Sequence, residues 1–188
     1  DYEIVGQIRQ AMKFAKEREF IHIFLERTLN QVLQSSKEIK NQTTLSDGTV
    51  SVAFAAVHYI RGNIQEIKNK QILLLGTGKI GSNACNPMVD YLGTTNITLI
   101  NRTNEKAENL ASLLHLRHAS MDQLTEEIRK ADIILVATNA TDPVITIDQL
   151  LPFKENKLLI DLSIPCNVDK AVAELPFITL IDVDSLSR

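Results

Sequence analysis

At 188 residues and 44% hydrophobic side chains, the chain can bury one substantial core with a smaller piece of another domain attached. A formal net charge of −3 and an isoelectric point near 5.8 leave no global basic field, which excludes nucleic-acid binding by bulk charge and makes any tRNA contact a local matter. Two cysteines without paired spacing, no apolar run of membrane-spanning length and no basic-then-apolar leader point to a reduced, cytoplasmic setting and no membrane contact.

From Ile4 to Lys40 the apolar residues Ile4, Ile8, Ala11, Ala15, Leu25, Leu29 and Val32 keep helical spacing, which predicts two amphipathic helices with a break near Glu19. The polar stretch Asn41–Thr49 contains Asp47-Gly48 and reads as a loop between domains. It divides the chain into 1–45, the end of one domain, and 46–188, a second domain. Ser51 is placed to cap a linker helix over 51–61 that Gly62 would end. Strand-like runs follow at Gln71–Leu75, Asn96–Ile100, Ile133–Ala137, Leu158–Leu162 and Ile178–Val183, separated by helical patterns or loops. That alternation predicts an α/β fold, a Rossmann-type parallel sheet with helices on both faces, preceded by the two helices. The chain begins at Asp1 and stops just after an apolar run, so it reads as a fragment.

The first strand-like run leads into Gly76-Thr77-Gly78-Lys79-Ile80-Gly81 and then a helical pattern. In a dinucleotide fold the first glycine makes the tight turn, the second admits pyrophosphate to the backbone, and the third lets helix pack on strand. The helix amino terminus adds free N–H groups and partial positive charge. Asn101 lies 20 residues past Gly81, where an NAD site usually carries a carboxylate for the ribose hydroxyls. Here the residues are Asn101-Arg102-Thr103. A guanidinium can grip a 2′-phosphate through two parallel N–H bonds, worth roughly 1.5 to 3 kcal/mol, or about ten- to a hundredfold in favour of NADP. The alternative is that Arg102 is a solvated surface residue and Thr103 merely caps the next helix.

Thr138, Asn139 and Ala140 emerge at the carboxyl edge of the sheet, where they would border the nicotinamide or serve as an ordinary strand-to-helix turn. Asp161 interrupts an apolar run and so has a hydrogen-bonding role, structural or close to substrate. Cys85 and Cys166 read as small packing or surface residues rather than nucleophiles. His22, His58, His115 and His118 have no ligand spacing with them, so no metal site is expected.

The segments YEIVGQIRQA at Tyr2–Ala11, SVAFAAVHYI at Ser51–Ile60, ILLLGTGKIG at Ile72–Gly81, INRTNEKAENLA at Ile100–Ala111, LLIDLSIPCNVD and LIDVDSL resemble, in order, the glutamyl-tRNA reductase family. The resemblance implies an NADPH-dependent oxidoreductase that converts glutamyl-tRNA to glutamate-1-semialdehyde, the first step of tetrapyrrole (porphyrin and heme) biosynthesis. It implies three parts: a catalytic domain, an NADPH domain and a helical dimerisation domain, with a homodimer and the next pathway enzyme, glutamate-1-semialdehyde aminomutase, as partners. Asp1, Tyr2, Glu3 and Gln7 would fall in the substrate-recognition segment, and Gly76, Thr77, Gly78, Lys79, Ile80 and Gly81 in the NADPH loop. The thioester-forming cysteine would precede Asp1, leaving this chain inactive by itself. Two departures stand out. Cys166 occupies a position where relatives commonly carry arginine, and Pro87 falls inside the helix after the glycine loop, which should kink or start late. The rival readings are an NADP oxidoreductase like shikimate dehydrogenase, which has a similar Asn-Arg-Thr motif but leaves Tyr2–Ala11 unexplained, and a cofactor-binding module without turnover.

Overall fold

The computed structural model describes residues 2–42 and 51–186. The chain divides into two compact units, Asp1–Thr49 and Val50–Arg188. In the first, α1 (Tyr2–Glu17) and α2 (Ile23–Gln42) are separated by a turn in which Glu19 takes a φ of 57°. Lys16 reaches across the turn to Glu26 at 2.5 Å. Residues 43–49 of the expected boundary loop lie outside the described residues, and α2 takes in its first two positions.

The second unit opens with α3 (Val52–Asn63), capped as expected by the Ser51 hydroxyl, which accepts from the Phe54 N–H at 3.2 Å. The helix runs past Gly62. Ile64 turns extended and donates its N–H to Ile60 O, while the Asn63 side chain donates to Tyr59 O, so the end comes from an extended residue rather than a left-handed glycine.

Six strands then form one parallel sheet: β1 (Ile72–Leu75), β2 (Ile97–Ile100), β3 (Arg117–Ala119), β4 (Ile133–Val136), β5 (Lys157–Asp161) and β6 (Ile178–Asp182). Their order is β3-β2-β1-β4-β5-β6, so the chain reverses direction across the sheet between β1 and β4. Ile72 of β1 pairs in register with Ile97 of β2 and Ile133 of β4. β1, β2 and β4 are buried throughout, which is why they read as unbroken apolar runs.

Side chains alternate across the sheet. Ile72 and Leu74 face one core with α3, α4 (Lys79–Leu92) and α5 (Asn104–Leu114), through Ala56, Ile60, Ala84, Met88, Ala107 and Ala111. Leu73 and Leu75 face a second core with α6 (Leu124–Lys130) and α7 (Ile147–Leu150), through Leu124, Ile128 and Leu150. A short α8 (Val183–Leu186) follows β6. Helices therefore cover both faces, as the sequence predicts.

Two expectations need correction. β3 was not foreseen: at the sheet edge Arg117 and His118 are exposed and only Ala119 is buried, so no apolar run marks it. And α4 begins directly after Gly78 and includes Pro87 on its way to Leu92, so the proline does not delay its start. At the start of β5, buried Lys157 donates to Arg129 O at 2.9 Å and Ala131 O at 2.7 Å, satisfying carbonyls at the end of α6.

Candidate nucleotide-binding site

The reversal between β1 and β4 opens a crevice at the carboxyl edge of the sheet, the place where parallel α/β sheets hold ligands. One lip comes from the ends of β1 and β2. Gly76 takes a φ of +97°, and a Cβ there would overlap the Ala137 carbonyl oxygen, so no larger residue fits. A Cβ on Gly81 would overlap the Gly76 carbonyl oxygen, which brings α4 hard against the loop. Gly78 differs: a Cβ built on it meets nothing within 4 Å. Its lack of a side chain serves no internal packing and leaves open space before the amino terminus of α4. The first-turn N–H groups of that helix have no intrahelical acceptor.

The loop is held from β2. The Thr77 N–H donates to Asn101 Oδ1 at 3.1 Å, and Asn101 Nδ2 donates to Thr103 O at 3.0 Å. Ser82 Oγ donates to Thr77 O at 2.9 Å. The Thr77 hydroxyl, by contrast, is buried with the residue only 8% exposed, and has no hydrogen-bond partner. An orphaned buried hydroxyl costs about 1 to 3 kcal/mol. Arg102 and Thr103 are exposed beyond the end of β2. Thr103 sits at the cap position of α5 yet its side chain makes no capping bond, and among the described residues the Arg102 guanidinium has no hydrogen-bond or ion-pair partner. Lys79 and Ile80 are exposed in the first turn of α4.

The other lip comes from β4 and β5. Asp161, 1% exposed, accepts three backbone N–H groups: Ser163 at 2.9 Å, Asn167 at 2.7 Å and Val168 at 2.8 Å. Its role is thus to shape the turn after β5. Ser163 Oγ accepts the Thr138 N–H at 3.2 Å, and the Thr138 hydroxyl donates to Asn167 Oδ1. Thr138 is therefore turned toward the protein, whereas Asn139 beside it is exposed. Ser163 and Asn167 were passed over in the sequence. Their only signal was polarity within an otherwise apolar stretch.

Of the remaining candidates, those on α1 belong to the first compact unit. Gln7 is exposed on α1, Tyr2 and Glu3 begin the same helix, and Asp1 lies outside the described residues. Cys85 is buried in α4, where desolvation pushes its thiol up to about 12. Cys166 is exposed, and its thiol is also raised, first by partial desolvation and then by the carboxylates of Asp161 and Asp182. Neither is an activated nucleophile. Among the described residues no cluster of three or more His, Cys, Asp or Glu is placed to hold a metal, and no helix is long and apolar enough to cross a membrane.

The family model described as shikimate / quinate 5-dehydrogenase matches residues 59–188. The chain is 45% identical over its full length to glutamyl-tRNA reductase 2 of Flavobacterium johnsoniae, covering 43% of that protein. It is 46% identical to glutamyl-tRNA reductase of Flavobacterium psychrophilum, again over the whole chain and 45% of the relative. Among solved structures, glutamyl-tRNA reductase from Methanopyrus kandleri aligns with a TM-score of 0.66 at 26% identity, over 99% of this chain and 48% of that one. Shikimate 5-dehydrogenase from Thermus thermophilus aligns with a TM-score of 0.53 over 72% of this chain and 50% of that one, and its 19% identity speaks to fold alone. The chain spans less than half the length of the curated relatives it matches.

Proposed function

Because the chain belongs to the shikimate / quinate 5-dehydrogenase family and is similar to glutamyl-tRNA reductases from end to end, we propose that it is the NADPH-binding part of an enzyme reducing glutamyl-tRNA to glutamate-1-semialdehyde. The observation that carries the cofactor assignment is an exposed guanidinium, unpaired among the described residues, at the end of β2, beside a glycine loop with open space and an unpartnered hydroxyl. When bound, the reduced nicotinamide supplies the hydride.

Everything else is positioning by this chain. The backbone at Gly78 lets the pyrophosphate approach, and the amino terminus of α4, with Lys79, Ile80 and Gly81, offers N–H groups and partial positive charge. Arg102 takes the 2′-phosphate with both arms of its fork, next to the hydroxyl of Thr103. Asn101, with its amide spanning Thr77 and Thr103, keeps the loop and the Arg102 turn at fixed separation. Thr138 and Asn139 border the nicotinamide side.

Asp1, Tyr2, Glu3 and Gln7 form the edge of the glutamate-recognition site, and the thioester-forming cysteine comes from outside residues 1–188. In the whole enzyme the partners are glutamyl-tRNA, a second copy in a homodimer and glutamate-1-semialdehyde aminomutase, in the cytoplasm. One observation favours a shikimate-dehydrogenase-like oxidoreductase instead: the description of the family model itself. That match starts at residue 59, whereas the likeness to the reductases also takes in α1 and α2, which supports the tRNA-linked reading. The test of the cofactor assignment is a paired titration of NADPH and NADH against the parent chain and Arg102→Ala.

A further inference from the structure

We propose that Asn167 is a positioning residue for the nicotinamide half of the cofactor, acting through the backbone of Thr138–Ala140. This rests on the cofactor reading above. If Arg102 takes the 2′-phosphate at the end of β2, the adenosine half lies on that side of the crevice, and the other half must cross over β1 toward β4. The first backbone it meets there is 138–140.

That segment has no strand or helix hydrogen bonding of its own; Ser163 Oγ accepts the Thr138 N–H, and the Asn167 side chain supplies the other bonds. Asn167 is fully buried. Its Oδ1 accepts from the Thr138 hydroxyl and from the Ala140 N–H, the latter at 3.2 Å. Its Nδ2 donates to Ala140 O at 3.0 Å and Asp142 O at 3.5 Å. All four hydrogen-bonding positions of the amide are thereby used. Its main chain extends the same hold: the Asn167 carbonyl accepts from Val144 N at 2.8 Å and Ile145 N at 3.2 Å, while its N–H is anchored on Asp161.

Only an amide fits this pattern. Reversed, it would set its NH2 against the Ala140 N–H. A carboxylate in its place would set a second oxygen against the Ala140 and Asp142 carbonyls, and an apolar side chain would leave buried groups of 138–142 without partners. The Thr138 hydroxyl is committed inward, whereas Asn139 beside it is exposed. Its place is set from β5 through Asn167, not by its own neighbours in sequence.

The test separates the two halves of the ligand. The 188-residue chain, Asn167→Asp and Thr138→Val are titrated with NADPH, followed by dihydronicotinamide fluorescence, and with adenosine 2′,5′-bisphosphate, which carries the Arg102-facing groups but no nicotinamide. Asn167→Asp is expected to weaken NADPH roughly tenfold, about what misplacing one or two buried hydrogen bonds costs, and to leave the bisphosphate within about twofold of the parent. Thr138→Val removes only the hydroxyl donor and moves NADPH the same way by less; it carries the test if the Asp variant does not fold. Equal losses for both ligands, or an unchanged NADPH affinity in a folded variant, overturn the inference while leaving the cofactor reading intact. A parent chain that binds neither ligand overturns both.

Discussion

The two lips of the crevice are built on opposite plans. At the ends of β1 and β2, polar groups are left over: a buried Thr77 hydroxyl without a partner, open space at Gly78 and an exposed arginine. At the ends of β4 and β5, buried polar groups are satisfied almost to saturation, with Asp161 accepting three N–H groups and Asn167 using its whole amide. A buried group that a fold leaves unpaired costs stability, a cost that is recovered wherever a ligand pairs it. Groups that are saturated serve as scaffold. On the proposed reading the first lip grips the ligand, and the second holds a backbone in place.

The difference predicts that damage to the two lips will look different. The largest effect is on the saturated side. Asp161→Asn keeps one acceptor oxygen and turns an NH2 toward backbone donors, so urea denaturation should give a stability loss of about 2 to 4 kcal/mol. A loss under about 0.5 kcal/mol would mean that the turn after β5 holds itself.

Gly78→Val should do the reverse. Gly78 has a φ of −69° and a ψ of −168°, which any residue adopts, and the space beside it is open, so the urea midpoint should stay close to the parent's. NADPH affinity by calorimetry should fall by about a hundredfold, since a side chain then fills the space where the pyrophosphate approaches. If the variant bound as tightly as the parent, the open space would not be the phosphate site.

The smallest effect concerns the thiols behind the lips. Below pH 9 the folded and unfolded chains both keep the Cys85 proton, and that contribution to stability is fully present. Above the ordinary thiol value of 9.0 the unfolded chain ionises while folded Cys85 holds its proton to about 12, so stability is lost as pH rises across that window. Cys85→Ala should show a shallower decline there than the parent. In the native chain at pH 8, iodoacetamide should label exposed Cys166 and spare Cys85; rapid labelling of Cys85 would contradict its burial.

How much of this could be read from the residues follows the same division. The central strands were legible because burial on both faces makes each an apolar run, and the glycine loop because its spacing is local. β3 was hidden by being half exposed at an edge, and α3 overran Gly62 because Ile64 supplies a different helix end. Of the candidate site, the residues that form the first lip could be picked out from the sequence, since its constraints act within a few positions or at a fixed distance from the glycines. The saturated lip was not: Asn167 meets Thr138 and Ala140 across 29 and 27 positions, and nothing near Asn167 in the chain signals those partners. Asp161 alone announced itself, by interrupting an apolar strand.

The central claim is that the arginine at the end of β2 reads a 2′-phosphate. NADPH and NADH are to be titrated calorimetrically against the parent chain and Arg102→Ala, at low salt and at physiological ionic strength. Loss of a charge-assisted pair should weaken NADPH by about 1.5 to 3 kcal/mol and leave NADH nearly unchanged. The NADPH penalty should shrink as salt rises, because exposed charges are screened over roughly 8 to 10 Å. Equal weakening of both cofactors, insensitive to salt, would contradict the account and remove Arg102 from the site.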